Sequence, residues 1–190
     1  MNDLPANAAH YLVVDLEATC ASDRSIPRAE MEIIEIGAVM VQRDTLAPIG
    51  EFQSFVRPVR HRILSDFCQE LTSISQEQVE TAPPFAEVTR RLVDWMGTFA
   101  DPVFCSWGDY DRGQFQQDCQ FHGVEYPFGE LHINLKAVFA RVRCCRKMGM
   151  AGALKSVGLP LAGTHHRGID DARNISLLLP FIFPPSDRGG

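Results

Sequence analysis

The run Tyr11-Leu12-Val13-Val14 is apolar and largely β-branched, and it ends by placing two carboxylates, Asp15 and Glu17, one residue apart. It reads as a strand over residues 11–16 whose body belongs to a core. Side chains alternate faces along a strand, so the two acids project from the same face. Buried carboxylates without partners are costly, and an arginine, a lysine or a metal ion must meet these two. The choice among the three largely decides what the chain does.

Further strands follow. Residues 31–41, MEIIEIGAVMV, read as a second and 51–58, EFQSFVRP, as a third, with Asp44 and Pro48-Ile49-Gly50 as turn signals. Short connections make these an antiparallel meander. Helical periodicity covers 65–72, 75–80 and, after Pro83-Pro84, 85–99. A fourth strand is predicted over 101–107 and helices over 110–122, 133–145, 150–157 and 169–179. Strands first, then strands alternating with helices, predict an α/β fold: a mixed sheet covered by helices.

A chain of 190 residues, 45% hydrophobic and 22% charged, suits a single domain. That domain is predicted over 11–180, after an N-terminal extension over 1–10. A C-terminal tail over 181–190 contains FPPSDRGG, the composition of a frayed end. The start, MNDLPANAAH, lacks the basic and apolar runs of a signal peptide, and no stretch reaches membrane-spanning length. No membrane association is expected. Cys20, Cys68, Cys105, Cys119, Cys144 and Cys145 form no CxxC and no zinc spacing. They read as reduced thiols of a cytoplasmic protein, with the vicinal pair Cys144-Cys145 a place where redox chemistry could occur.

Acid pairs at i and i+2 carry no information by count. With 24 acids about three arise by chance, and the chain has three, at 15/17, 30/32 and 109/111. Context separates them. Glu30 and Glu32 sit beside a loop, whereas Asp15 ends a core strand, where catalytic groups are commonly placed. In the helix beginning near residue 110, Asp111 lies about 40° from Phe115 on the inward face, and Asp109 about 120° away as a cap or surface group. Around 169–179, Asp171 flanks the apolar arc of Ile169, Ala172, Ile175, Leu178 and Leu179, while Asp170 points away and suits the helix N-terminal dipole. Three separated segments therefore offer inward acids, and four carboxylates could hold two Mg²⁺-like ions. The loop GTHHRG adds His165 and His166, which spacing alone does not separate.

A net charge of −6 opposes bulk attraction to nucleic acid. Cations bound by four acids would remove most of it, and basic residues cluster in RPVRHR (57–62) and RVRCCRK (141–147). Taken alone, either run is also what a solvated surface looks like.

DLEATC, SWGDYDRGQF and HHRGIDDARN, in this order and at these separations, resemble the three motifs of DEDDh-class exonucleases of the DnaQ-like superfamily. LSDFCQELTSISQEQV, VDWM and INLK are similar to the Eri/KapD-like branch, and the resemblance spans roughly residues 10–180. It implies a ribonuclease-H-like fold and a 3′-5′ exonuclease releasing nucleoside 5′-monophosphates from single-stranded RNA or DNA 3′ ends, short RNA slightly favoured. It assigns two divalent ions, Mg²⁺ or Mn²⁺, to Asp15, Glu17, Asp111 and Asp171, and the general base to His166. It places the terminal nucleotide near Leu16, Ala18, Thr19, Leu71 and Thr72; core packing is an equal reading of Leu16 and Leu71. Trp107 could stack a base or pack in the core, and Glu35 could support the site or satisfy a buried hydrogen bond. A non-catalytic, regulatory partner-binding protein on this fold is the alternative, although it would not require the acids or His166.

Overall fold

Tyr11 and Val13 pack on one side of a sheet and Leu12, Val14 and Leu16 on the other. A strand buried on both faces explains why the sequence there is continuously apolar rather than alternating. The computed structural model describes residues 8–183. Its strands are β1 (His10–Ala18), β2 (Ile33–Gln42), β3 (Pro48–Phe55), β4 (Pro102–Ser106) and β5 (His132–Asn134), in the order β3-β2-β1-β4-β5. β1, β2 and β3 form the antiparallel meander, and β4 and β5 run parallel to β1.

Helices follow as α1 (Asp66–Thr72), α2 (Gln76–Glu80), α3 (Phe85–Met96), α4 (Tyr110–His122), α5 (Leu135–Val142), α6 (Met150–Ser156), α7 (Gly168–Ser176) and α8 (Leu179–Ile182). The last four pack on the Tyr11/Val13 face, and α3 and α4 on the Leu12/Val14 face. A smaller cluster of Ile34, Leu64, Cys68, Ile74 and Val79 lies beneath α1 and α2. Ile34 reaches it through a bulge: Glu17 pairs with Glu35 and Ala18 with Ile33, leaving Ile34 as the extra residue. Ser65 caps α1 and Ser75 closes a capping box with Gln78 on α2, each worth about 1 kcal/mol.

Several boundaries depart from the sequence expectation. The third strand begins at Pro48, inside the turn signal Pro48-Ile49-Gly50. β3 is an edge strand, and the first position of an edge strand tolerates a missing N–H. The helix expected over 133–145 starts two residues later, because His132–Asn134 pairs with β4 before Asn134 caps α5. The helix expected over 169–179 is two helices, α7 and α8, with Pro180 in the first turn of α8. Beyond the expected domain end at 180, Ile182 is buried and Phe183 stacks on Tyr11 at 4.8 Å. Ala8, assigned to the extension, is also buried. Residues 1–7 and the frayed end expected over 184–190 lie outside the described residues.

Candidate active site

Four carboxylates from three elements meet at the C-terminal end of β1. Asp15 and Glu17 share the parity of Tyr11 and Val13 and so face α7. Asp171 stands in the first turn of α7 and Asp111 in the first turn of α4, where its Oδ1 accepts the Leu16 N–H at 3.2 Å. Carboxylate oxygens of Asp15, Glu17 and Asp171 lie within 4.8 Å of one another. All four acids line one pocket of about 320 Å³.

No arginine or lysine side chain is hydrogen-bonded or ion-paired to these four carboxylates among the described residues. Burial, then Asp111, Glu17 and Asp171, raises Asp15 well above the usual carboxylate range. Burial, then Asp171 and Glu35, pushes Glu17 up to about 8. Asp111 rises to about 6 through burial, opposed by its hydrogen bonds. Asp171 is raised by burial, against the pull of His165. Crowded carboxylates held in this state could hold a cation, and an all-oxygen donor set suits a hard divalent ion.

Both histidines border the pocket, their rings stacked at 3.9 Å. The His165 ring meets Asp171 Oδ2 at 2.9 Å, while His166 donates only its backbone N–H to that oxygen, at 3.1 Å. His166 adopts a left-handed conformation (φ 63°), and ring nitrogens of both histidines lie within 4.8 Å of each other and of an Asp171 carboxylate oxygen. Burial, then the neighbouring His165, lowers the His166 pKa against the pull of Asp171, which favours the neutral ring.

The remaining residues expected at the site divide. Leu16, Ala18 and Leu71 line the pocket. Thr19 and Thr72 are buried and do not. Thr19 Oγ1 accepts the Glu32 N–H at 2.9 Å, tying β1 to β2, and Thr72 Oγ1 donates to Cys68 O at 2.8 Å. Trp107 packs on Phe139 and donates Nε1–H to Met148 O at 3.0 Å, with one edge on the pocket. Asp109 is an exposed residue at the α4 N-terminus, and Asp170 pairs with Arg173.

Sequence reasoning missed Tyr110, Met31 and Met150 on the pocket wall. Tyr110 is partly exposed and carries the Arg28 guanidinium 3.8 Å above its ring. Its one sequence signal was adjacency to Asp111, since loop-to-helix aromatics have no period to read. Glu35 is fully buried and accepts from Arg167 Nε (3.1 Å), Arg167 Nη2 (3.3 Å), Gly168 N (3.0 Å) and Gln53 Nε2 (3.0 Å). It thereby fixes the N-terminus of α7, and with it Asp171.

The sheet order, the helices on both faces and the acids at the strand ends define a ribonuclease-H-like exonuclease fold. The nuclease domain of 3′hExo, a DEDDh family member bound to rAMP, superposes with a TM-score of 0.85 at 29% identity, covering 93% of this chain and 92% of that one. A 3′-exonuclease recognising a histone mRNA stem-loop gives 0.86 at 28%, covering 92% and 81%. The family described as Exonuclease (RNase_T) matches residues 12–179, and the chain belongs to it. Human ERI1 exoribonuclease 2 is 32% identical over 191 residues, 89% of this chain and 28% of that protein. Human 3′-5′ exoribonuclease 1 is 33% identical over 178 residues, 88% and 50%. The chain thus spans half or less of the length of these two relatives. No helix among the described residues is long and apolar enough to cross a membrane.

Proposed function

We propose that this chain is a metal-dependent 3′-5′ exoribonuclease that releases nucleoside 5′-monophosphates from single-stranded 3′ ends, with short RNA favoured over DNA. The observation that carries the reading is the convergence of Asp15, Glu17, Asp111 and Asp171 on one pocket without a basic partner for Asp15 or Glu17. The two relatives named as exoribonucleases support the preference for RNA. A cytoplasmic site of action belongs to the same reading, supported by six cysteines that are all free.

Asp15, Glu17, Asp111 and Asp171 would hold two divalent ions, Mg²⁺ or Mn²⁺. When bound, such ions stabilise the attacking and leaving oxygens of an in-line phosphoryl displacement. The chain's own residues do the rest. His166, whose neutral form is favoured by burial, takes a proton from the attacking water, whose oxygen bonds to phosphorus as the 3′ oxygen of the penultimate nucleotide departs and takes a proton from solvent. Leu16, Ala18 and Leu71 form an apolar wall for the terminal nucleoside, Thr19 and Thr72 brace it from behind, and Tyr110 offers a ring for stacking.

The test is digestion of 5′-labelled RNA and DNA oligonucleotides with Mg²⁺, Mn²⁺ or EDTA, wild type beside Asp15→Asn. A ladder shortening from the 3′ end, abolished by EDTA and by the substitution, is expected. Cleavage of a circular RNA, or full activity of Asp15→Asn, would overturn the reading.

A further inference from the structure

A second groove, of about 410 Å³, opens beside the segment joining β3 to α1 and is lined by Arg57, Pro58, Val59, Arg62 and Ile63, with Val79 and Glu80 of α2. It shares no residue with the acid-lined pocket. Its wall is built rather than loose. The buried Glu32 carboxylate accepts the backbone N–H groups of Val59 (2.9 Å), Arg60 (2.7 Å) and His61 (3.1 Å), and Gln76 bonds Leu64 N and Arg62 O (both 2.8 Å).

The four basic side chains of this segment are used unequally. Arg60 lies 3.4 Å over the Phe121 ring and bonds Ala29 O, and His61 meets Glu30. Arg57 and Arg62 are exposed and have no ion pair or side-chain hydrogen bond among the described residues. The one acid on the wall, Glu80, is engaged by Gln76 Nε2 at 2.9 Å. Beside the two free guanidinium groups Ile63 is 73% exposed. Planar cationic forks next to exposed apolar surface match a phosphate with its neighbouring base.

The groove lies at the same end of the sheet as the acids. Arg57 is two residues beyond Phe55, which pairs with Glu35, which pairs with Glu17. Two strand spacings across the sheet and two residues along the chain make this about 12 Å. α1 joins the sites along its length of about 10 Å, with Ile63 just before its cap and Leu71 on the acid-lined pocket. At about 3.4 Å per stacked nucleotide, that distance is about three or four nucleotides.

We propose that Arg57 and Arg62 form a phosphate-binding subsite for the substrate strand three or four nucleotides upstream of its 3′ end. The proposal rests on the exonuclease reading of the acid-lined pocket, and it makes the enzyme sensitive to substrate length.

The experiment compares wild type with Arg57→Gln/Arg62→Gln on an RNA dinucleotide and a single-stranded dodecamer at several salt concentrations. Binding of the dodecamer is measured in parallel by anisotropy in an Asp15→Asn background. Expected are an unchanged kcat/KM on the dinucleotide, a KM for the dodecamer raised about tenfold, and a log–log salt slope smaller by about 1.4, at 0.7 per phosphate lost. Wild-type KM, affinity and slope in the double variant overturn the subsite. So does equal damage on both substrates, or transfer of the whole effect to Arg143→Gln/Arg146→Gln/Lys147→Gln. Wild type that binds the dodecamer through these arginines but cleaves neither substrate keeps the subsite and sinks the exonuclease reading.

Discussion

A β-carbon on Gly37 would lie 2.1 Å from the carbonyl carbon of Gly168, so β2 and α7 touch main chain to main chain. Gly37 is the register partner of Asp15, and a β-carbon on Gly168 would come within 3.0 Å of the Asp15 carbonyl oxygen. The first turn of α7, which carries Asp171, is thereby seated directly over Asp15. Gly37→Ala is expected to cost about 3 kcal/mol or more in urea unfolding, because the obstruction is backbone and cannot rotate aside. Gly168→Ala should lose less stability, and its activity should fall further than its stability explains.

Glu35 fixes the same helix end by charge. Its carboxylate is fully buried against Arg167 and the Gly168 N–H, and removing one member of a buried ion pair typically costs 3–5 kcal/mol. Glu35→Ala should therefore melt early, and Glu35→Gln should fold while losing kcat with little change in KM. Equal kcat for Glu35→Gln and wild type would remove the positioning role.

The crowded acids link stability to pH in an unusual direction. Glu17 is raised from 4.5 to about 8, so the folded metal-free protein binds a proton there that the unfolded chain releases. Its contribution is complete below pH 4.5 and is lost as pH rises toward 8, a change on the order of a few kcal/mol. In EDTA the melting temperature of wild type should fall between pH 6 and pH 8, and Glu17→Gln should flatten that slope. Mg²⁺ added near pH 7 should release protons measurable by calorimetry in buffers of different ionisation enthalpy.

The inward carboxylates were legible because periodicity separates Asp111 from Asp109 and Asp171 from Asp170. The register that unites them was not legible. Nothing in the sequence places Gly37 opposite Asp15, and the partner of Glu35 lies 132 residues away. β5 was lost inside a helical pattern because three residues are too few to carry a period of two. Thr19 and Thr72 are candidates through the family motif alone, and the backbone hydrogen bonds that engage their hydroxyls have no periodicity to read in the sequence.

The two histidines should separate in kinetics. His166→Ala removes the group proposed to accept the proton and should lower kcat by about 10²- to 10⁴-fold. His165→Ala frees Asp171 of a ring contact and should change kcat by less than about tenfold. The wild-type rate should fall on the acid side of a pKa lying below 6.5, and that limb should be missing from the residual activity of His166→Ala.

Tyr110→Ala should raise KM for single-stranded substrates by the equivalent of about 1–3 kcal/mol, the worth of one base–aromatic stack. Tyr110→Phe should retain wild-type KM, because stacking uses the ring and not the hydroxyl. Inhibition by nucleoside monophosphates reads the same contact from the product side.

Trp107 gives the molecule a built-in optical reporter. The chain has two tryptophans, and Trp95 packs with Phe52 and Phe99 on the opposite side of the sheet, whereas Trp107 has an edge on the pocket. In a Trp95→Phe background all indole emission would originate at the pocket rim. Occupancy by ions, nucleotide or RNA would then be readable as intensity and wavelength in an unlabelled protein.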